Sequence, residues 1–184
     1  QLRLTFDKGE LKAVNDVVYD DPIKAIQKVE EIGAAYGIGR DIHVGDTIIG
    51  IKGRVGFEAA GPIIIVKAHH TLEKHVLTKW QLSWKDQLGA FYGNFLHEGQ
   101  FHDPVMRDIE AFLQSSQETV NGRVIVQLQP NYFTMIGIES ENDLMSSKFG
   151  TYGEMNNSWT GDDVKGFSKI FGNQVSIWHK VNNK

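Results

Sequence analysis

Between Gly37 and Glu58 the chain runs GIGRDIHVGDTIIGIKGRVGFE, which places six of its nineteen glycines inside twenty-two residues. Glycine reaches positive φ without steric cost and lets backbone approach a ligand or another strand closely. The chain must therefore cross this region in turns and short strands, with its helices built on either side. The same stretch carries Arg40, Asp41, His43, Asp46, Lys52, Arg54 and Glu58. Ionisable side chains woven into glycine-rich backbone mark either solvated turns or a polar site presented by loops. From composition alone both readings stand.

The flanks read as follows. Leu2, Leu4 and Phe6 alternate with polar residues as on a half-buried strand, Asp7-Lys8-Gly9-Glu10 turns the chain, and Leu11 to Val14 returns it. Asp21 is placed to cap a helix that Pro22 opens, with Ile23, Ile26, Val29 and Ile32 as its inner face and Gly33 or Gly37 as its stop. Thr47 to Ile51 reads as a strand broken by Gly50, and Ile63-Ile64-Ile65-Val66 after Pro62 as a strand buried on both faces. Thr71 opens the longest helical signal, with Leu72, Val76, Trp80, Trp84, Leu88, Phe91 and Phe95 down one side. That spacing favours core packing over a base-stacking platform. Asp103-Pro104 opens a second helix with Met106, Ile109, Phe112 and Leu113 inward, so two long helices are expected near 71–96 and 104–118. Arg123 to Gln129 and Tyr132 to Glu139 form a hairpin around Pro130-Asn131.

Beyond Ser140, SENDLMSSKFGTYGEMNNSW reads as short turns. Thr160 caps a last helix with Asp162 and Asp163 in its first turn, Phe167, Ile170 and Phe171 as its buried face and Gly172 as its stop. VSIWHKV is a final strand or a docking tail. Helices and strands alternate first and a hairpin then intervenes, which predicts the α+β class: a mostly antiparallel sheet with packed helices.

The 184 residues suffice for one domain with a real core. A net charge of -4 leaves no basic field to attract nucleic acid or an anionic membrane, and seven histidines are the main groups placed to titrate near neutrality. The absence of cysteine removes disulfides, zinc–thiolate sites and thiol nucleophiles, and fits a reducing, cytoplasmic location. The sequence has no apolar run of the ~18 residues needed to span a membrane. QLRLTFDKGE has no signal-peptide pattern, lacks a starting Met and begins on a strand, as expected of a piece of a longer chain.

Short motifs give little. His69, His70 and His75 with Glu73 invite a zinc reading, yet they are not H-E-x-x-H, and adjacent histidines point apart. No metal site is expected. His97, Glu98, His102 and Asp103 fit an exposed loop and a helix cap. Gly50-Ile51-Lys52-Gly53 matches the G-x-x-G of a KH loop, a nucleic-acid clamp, but its flanks look like strands. The sequence contains neither G-x-x-x-x-G-K-[ST], nor S-G-G-x-D-[ST], nor G-x-S-x-G.

A dispersed pattern says more. Gly37-Ile38-Gly39-Arg40-Asp41-Ile42, Ile49-Gly50-Ile51-Lys52-Gly53-Arg54, Glu58-Ala59 and Ala68-His69 to Leu72-Glu73 are followed in order by Tyr92, Gly99, Asp103-Pro104, Ala111-Phe112, Gln117, Val120, Gly122, Val124 and Gly166-Phe167. In these positions the chain resembles the C-terminal, synthetase domain of the argininosuccinate synthase family over nearly its whole length. The resemblance implies a domain at 1–172 with a tail at 173–184. It also implies a homotetrameric, cytoplasmic ligase of arginine biosynthesis and the urea cycle that joins citrulline to aspartate and splits ATP to AMP and pyrophosphate. ATP, with Mg2+, would be bound by a separate N-terminal domain, so no cofactor is expected here and this chain alone is expected to be inactive. No catalytic residue is assigned to it.

The substrate-binding residues that the resemblance implies are His43, Asp46, Lys52, Arg54, Phe57 and Glu58. Several depart from the family pattern. A Glu-Asn-Arg triplet, whose Glu meets the α-amine of citrulline, is replaced within His43-Val44-Gly45-Asp46-Thr47, which has no Glu. The Tyr before Glu58 is Phe57, without the hydroxyl. Lys-Ser-Arg becomes Lys52-Gly53-Arg54, keeping both cations, and the proline after Glu58 is displaced to Pro62. Two expectations follow. Either the substrate's α-amine is uncharged, as in N-acyl-citrulline, or Asp46 takes over from the missing Glu. A KH-like binding module and a purely structural oligomerisation domain are the competing classes.

Overall fold

The computed structural model describes residues 1–145 and 158–183. The chain divides into two units, Gln1–Leu144 and Met145–Lys184. In the first, strands β1 (Leu2–Asp7), β2 (Glu10–Val14) and β3 (Val17–Val18) lead into helix α1 (Pro22–Ala34), then strands β4 (Arg40–Asp46) and β5 (Lys52–Glu58). Helices α2 (Ala60–Val76), α3 (Lys79–His97) and α4 (Pro104–Gln117) precede strands β6 (Gly122–Gln129) and β7 (Tyr132–Glu139). The second unit holds α5 (Gly161–Phe171) and α6 (Asn173–Asn182). The protein is α+β. The main sheet is antiparallel, in the order β3-β2-β1-β6-β7, and among the described residues β4 and β5 pair only with each other.

The core lies where β1 and β6 meet α1 and α2. Leu2, Leu4, Val124 and Val126 on the sheet and Ala25, Val29, Ile64, Ala68 and Leu72 on the helices are fully buried. The stripe Ile64, Ala68, Leu72, Val76 recurs every four residues, which is why Ile63 to Val66 is helical and not the expected strand. Only Ile64 of that run is fully buried, while Val66 is 66% exposed. Tertiary packing thus overrides the β-branched preference for strands. α1 crosses α2 closely at Gly33, where an added Cβ would come 2.7 Å from Ile64 Cδ1 and 3.0 Å from Ala60 Cβ. The crossing buries the small stripe Ala25, Val29, Gly33 and leaves Ile23 and Ile26 exposed, against expectation.

The helical signal expected from 71 to 96 is two helices. α2 ends at Leu77, whose ψ of 145° is extended, and Thr78 caps α3 in a reciprocal box with Gln81. Thr71 lies inside α2 and donates to Lys67 O at 2.7 Å. No residue of α3 is buried among the described residues, and Trp80 and Trp84 are 68% and 55% exposed. Its aromatic stripe is therefore not the core of this unit, as the spacing had suggested, because α3 packs on α4 at the margin of the sheet–helix core.

Asp21 and Asp103 cap α1 and α4 as expected, and β6–β7 is the expected hairpin. The turns expected over residues 140–159 fall largely on 146–157, outside the described residues. In the second unit Thr160 and Asp163 form the capping box of α5, and Gly172 joins α5 to α6, so VSIWHKV is helical. Phe167, Ile170 and Phe171, expected to be buried, are exposed.

Candidate functional site

The glycine-rich stretch folds into one hairpin that stands clear of the main sheet. Its root is fixed at Gly39, φ +85°, where a Cβ would lie 2.5 Å from Ala60 N. Only glycine fits both that backbone conformation and that contact. There Ala59 N donates to Gly39 O at 3.0 Å, tying the returning strand to the start of α2. The turn is Thr47 to Ile51, the segment expected to be a strand. Thr47 Oγ1 donates to Ile51 O at 2.6 Å, and Gly50 takes φ +79° to close the loop.

Register assigns the faces. Arg40 opposes Glu58, Ile42 Gly56, Val44 Arg54 and Asp46 Lys52, while Asp41 opposes Phe57, His43 Val55 and Gly45 Gly53. Opposed residues share a face and successive residues alternate, so these are two separate sets. Asp46, Lys52, Arg54 and Glu58 lie on one face, His43 and Phe57 on the other. The structure therefore places all six residues on one element without gathering them on one surface. The first face is laced by ion pairs, Arg40 Nε to Glu58 Oε1 at 2.9 Å and Lys52 Nζ to Asp46 Oδ1 at 2.6 Å. Asp46 is thus paired near the turn, on the face opposite to Phe57. Arg40, Asp41, Ile42, Gly56, Phe57 and Glu58 line a shallow depression at the root.

A second polar constellation lies between α2, α3 and α4. Glu73 is fully buried, and its carboxylate accepts from Lys85 Nζ at 2.5 Å and from Gln117 Nε2 at 2.9 Å. His70 Nδ1 is 3.3 Å away, and His69 Nε2 meets Gln117 Oε1 at 2.8 Å. A cleft of about 560 Å³ opens beside it, lined in part by Lys8, Glu10, His69, Lys85 and Gln117. Read from the sequence, His69 and Glu73 figure only as an unsupported zinc candidate and as part of the family pattern. The overlooked signal was the i, i+4 spacing of two polar residues on a helix whose other face is apolar. Both carboxylate oxygens of Glu73 are already engaged, Oε2 by Lys85 and Oε1 by Gln117, and His75 faces Asp143 Oδ1 at 3.2 Å instead. The arrangement is a buried, hydrogen-bonded ion pair that joins three helices.

His97 and His102 are not drawn into either cluster, and Asp103 caps α4 through Val105 N. The G-x-x-G run Gly50 to Gly53 closes a β-hairpin and does not join two helices as a KH clamp requires.

The sequence profile described as Arginosuccinate synthase C-terminal domain matches residues 1–178. The chain is 35% identical over 179 residues to the argininosuccinate synthase of Xylella fastidiosa, covering 97% of the chain and 44% of that relative. It is 36% identical to that of Xanthomonas campestris, with the same coverage, and 32% identical to that of Dictyoglomus thermophilum over 96% of the chain and 44% of the relative. It thus spans less than half the length of these relatives.

Proposed function

The chain belongs to the argininosuccinate synthase family through its C-terminal domain, and from that premise we propose that it forms the substrate-enclosing part of an ATP-dependent carbon–nitrogen ligase. The reaction joins citrulline, plain or N-acylated, to aspartate in arginine biosynthesis. The ureido oxygen attacks the α-phosphorus of ATP and pyrophosphate leaves. The aspartate amine then attacks the activated carbon and expels AMP. Nothing in this chain is assigned to ATP; an N-terminal ATP-binding domain supplies that site, with Mg2+ on the phosphates. This chain positions the ureido substrate, a contribution that acts by removing translational and orientational freedom before the chemical steps. Residues 1–172 act as the enclosing domain, 173–184 as its tail, and the full-length enzyme as a cytoplasmic homotetramer.

The observation that carries this reading is the β4–β5 hairpin. Among the described residues it is anchored at its root, exposed on both faces, and studded with ionisable groups, as a wall that closes on a substrate held elsewhere must be. Lys52 and Arg54 offer cationic side chains on one face, where they can meet an anionic group of the bound reactants. The test is pyrophosphate release. The full-length enzyme is expected to release it only with ATP, a citrulline-type substrate and aspartate together, and this chain alone is expected to release none. Release by this chain alone, or none by the full-length enzyme, contradicts the reading.

A further inference from the structure

We propose that the outer face of α3 is a self-complementary docking surface, on which the α3 helix of a second copy of this chain packs antiparallel. The inference stands apart from the ligase reading.

α3 is turned the opposite way to most helices at the edge of a core. Its anchors to the neighbouring helices are polar: Lys85 Nζ reaches Glu73 on α2, and the Tyr92 hydroxyl donates to Glu110 Oε1 on α4 at 2.7 Å. Its aromatic stripe points outward. Trp80, Trp84 and Phe91 are 68%, 55% and 42% exposed, and the half-buried Phe95 stacks on Phe91 with ring centroids 4.3 Å apart. At 100° per residue these side chains fall within about 60° of arc, one narrow strip along the helix. A contiguous aromatic strip left in water marks an interaction surface.

The spacing identifies the occupant. The intervals from Trp80 to Trp84, Trp84 to Phe91 and Phe91 to Phe95 are four, seven and four residues, so the strip reads the same in both directions. A two-fold axis beside Gln87 and Leu88 sets Trp80 of each copy against Phe95 of the other, and Trp84 against Phe91, so that each contact is made twice. Charge selects the direction. Lys79 is the first residue of α3 and Glu98 its C-cap, each at the end of the helix dipole that disfavours its sign. Lys79 Nζ reaches over the Trp80 ring, 4.8 Å from its centroid, at the end of the strip. In an antiparallel pair Lys79 meets Glu98 and the negative helix end of the other copy, and Glu98 meets Lys79 and the positive end. A parallel pair would oppose like charges at both ends.

The experiment follows the mass of this chain by sedimentation over a concentration series. The unaltered chain is expected to self-associate as concentration rises. Trp84→Lys is expected to raise the apparent Kd by about thirtyfold or more, the scale of a lost aromatic anchor, with an unchanged circular dichroism spectrum because the side chain is exposed. Glu98→Lys is expected to weaken association about fivefold, and Lys79→Glu/Glu98→Lys to restore it. Both substitutions suit the helix dipole, so the loss is not one of folding. The chain has no cysteine, so introduced ones report direction cleanly. Under oxidised glutathione Gln87→Cys, beside the axis, is expected to form a disulfide between two copies, and Trp80→Cys to do so only when mixed with Phe95→Cys. A chain that stays monomeric, association unmoved by Trp84→Lys, or Trp80→Cys cross-linking to itself overturns the proposal, and none of these touches the ligase reading.

Discussion

Gly39 and Gly50 both hold positive φ, but a methyl group would meet different surroundings at each. At Gly50 an added Cβ touches nothing within 4 Å, so Gly50→Ala bears only the left-handed backbone penalty, about 1 kcal/mol. That is expected to speed amide hydrogen exchange in the hairpin about fivefold without moving the global melt. At Gly39 the same Cβ would press on Ala59 C at 2.6 Å and on Ala60 N. Gly39→Ala is therefore expected to shift the α2 start itself and lower Tm of the whole first unit. Equal effects at the two sites would contradict this. Asp16 carries a pH-dependent contact. The Arg3 side chain hydrogen-bonds its carboxylate and Arg123 adds to the attraction, holding its pKa below the usual 3.8. Its contribution is present above the unfolded carboxylate pKa and fades as pH falls through the lower folded value. Asp16→Asn should accordingly lower Tm at pH 7, by a margin that shrinks as the solution is acidified below about pH 4. A margin that grows with acidity would contradict the assignment. Single-residue signals of this local kind were legible: Asp21, Asp103 and Thr160 cap helices as their positions suggest. The sides taken by His43 and Asp46 were not, because a one-residue change of register exchanges the two faces of a hairpin.

At the scale of elements, the Glu73–Lys85 pair fastens α3 to α2, although α3 buries none of its residues among those described. Lys85→Ala leaves a fully buried carboxylate uncompensated except by Gln117 and the histidines, and is expected to cost about 3 kcal/mol in urea unfolding. Glu73→Leu/Lys85→Leu removes both charges and is expected to recover most of that loss. A double variant no better than the single one would show that the pair acts through something other than charge burial. The sheet hairpin β6–β7 and the β1–β2 turn were legible because period-two alternation and turn residues are local. The run Ile63 to Val66 was not. Its β-branched residues fit either strand or helix, and only the later spacing of Ala68, Leu72 and Val76 resolves it. The break between α2 and α3 was hidden for a related reason: both helices place apolar residues in phase with one another, and only the Thr78–Gln81 box marks the boundary.

For the whole molecule, the fold class and the family were both legible, one from alternation and the other from a pattern spread over most of the chain. The buried Glu73 network was not, since Gln117 meets Glu73 only once the helices are packed. The chain corresponds to about 44% of the relatives named above, and the function proposed for it is that of one wall of a larger site. The most direct probe of that role is Phe57→Ala in the full-length enzyme, with KM measured separately for ATP, aspartate and the ureido substrate. A wall that holds the ureido substrate requires KM for that substrate to rise by about tenfold or more while KM for ATP stays within about twofold. Unchanged KM for the ureido substrate, or an equal rise for all three, would show that the hairpin is not where that substrate is held.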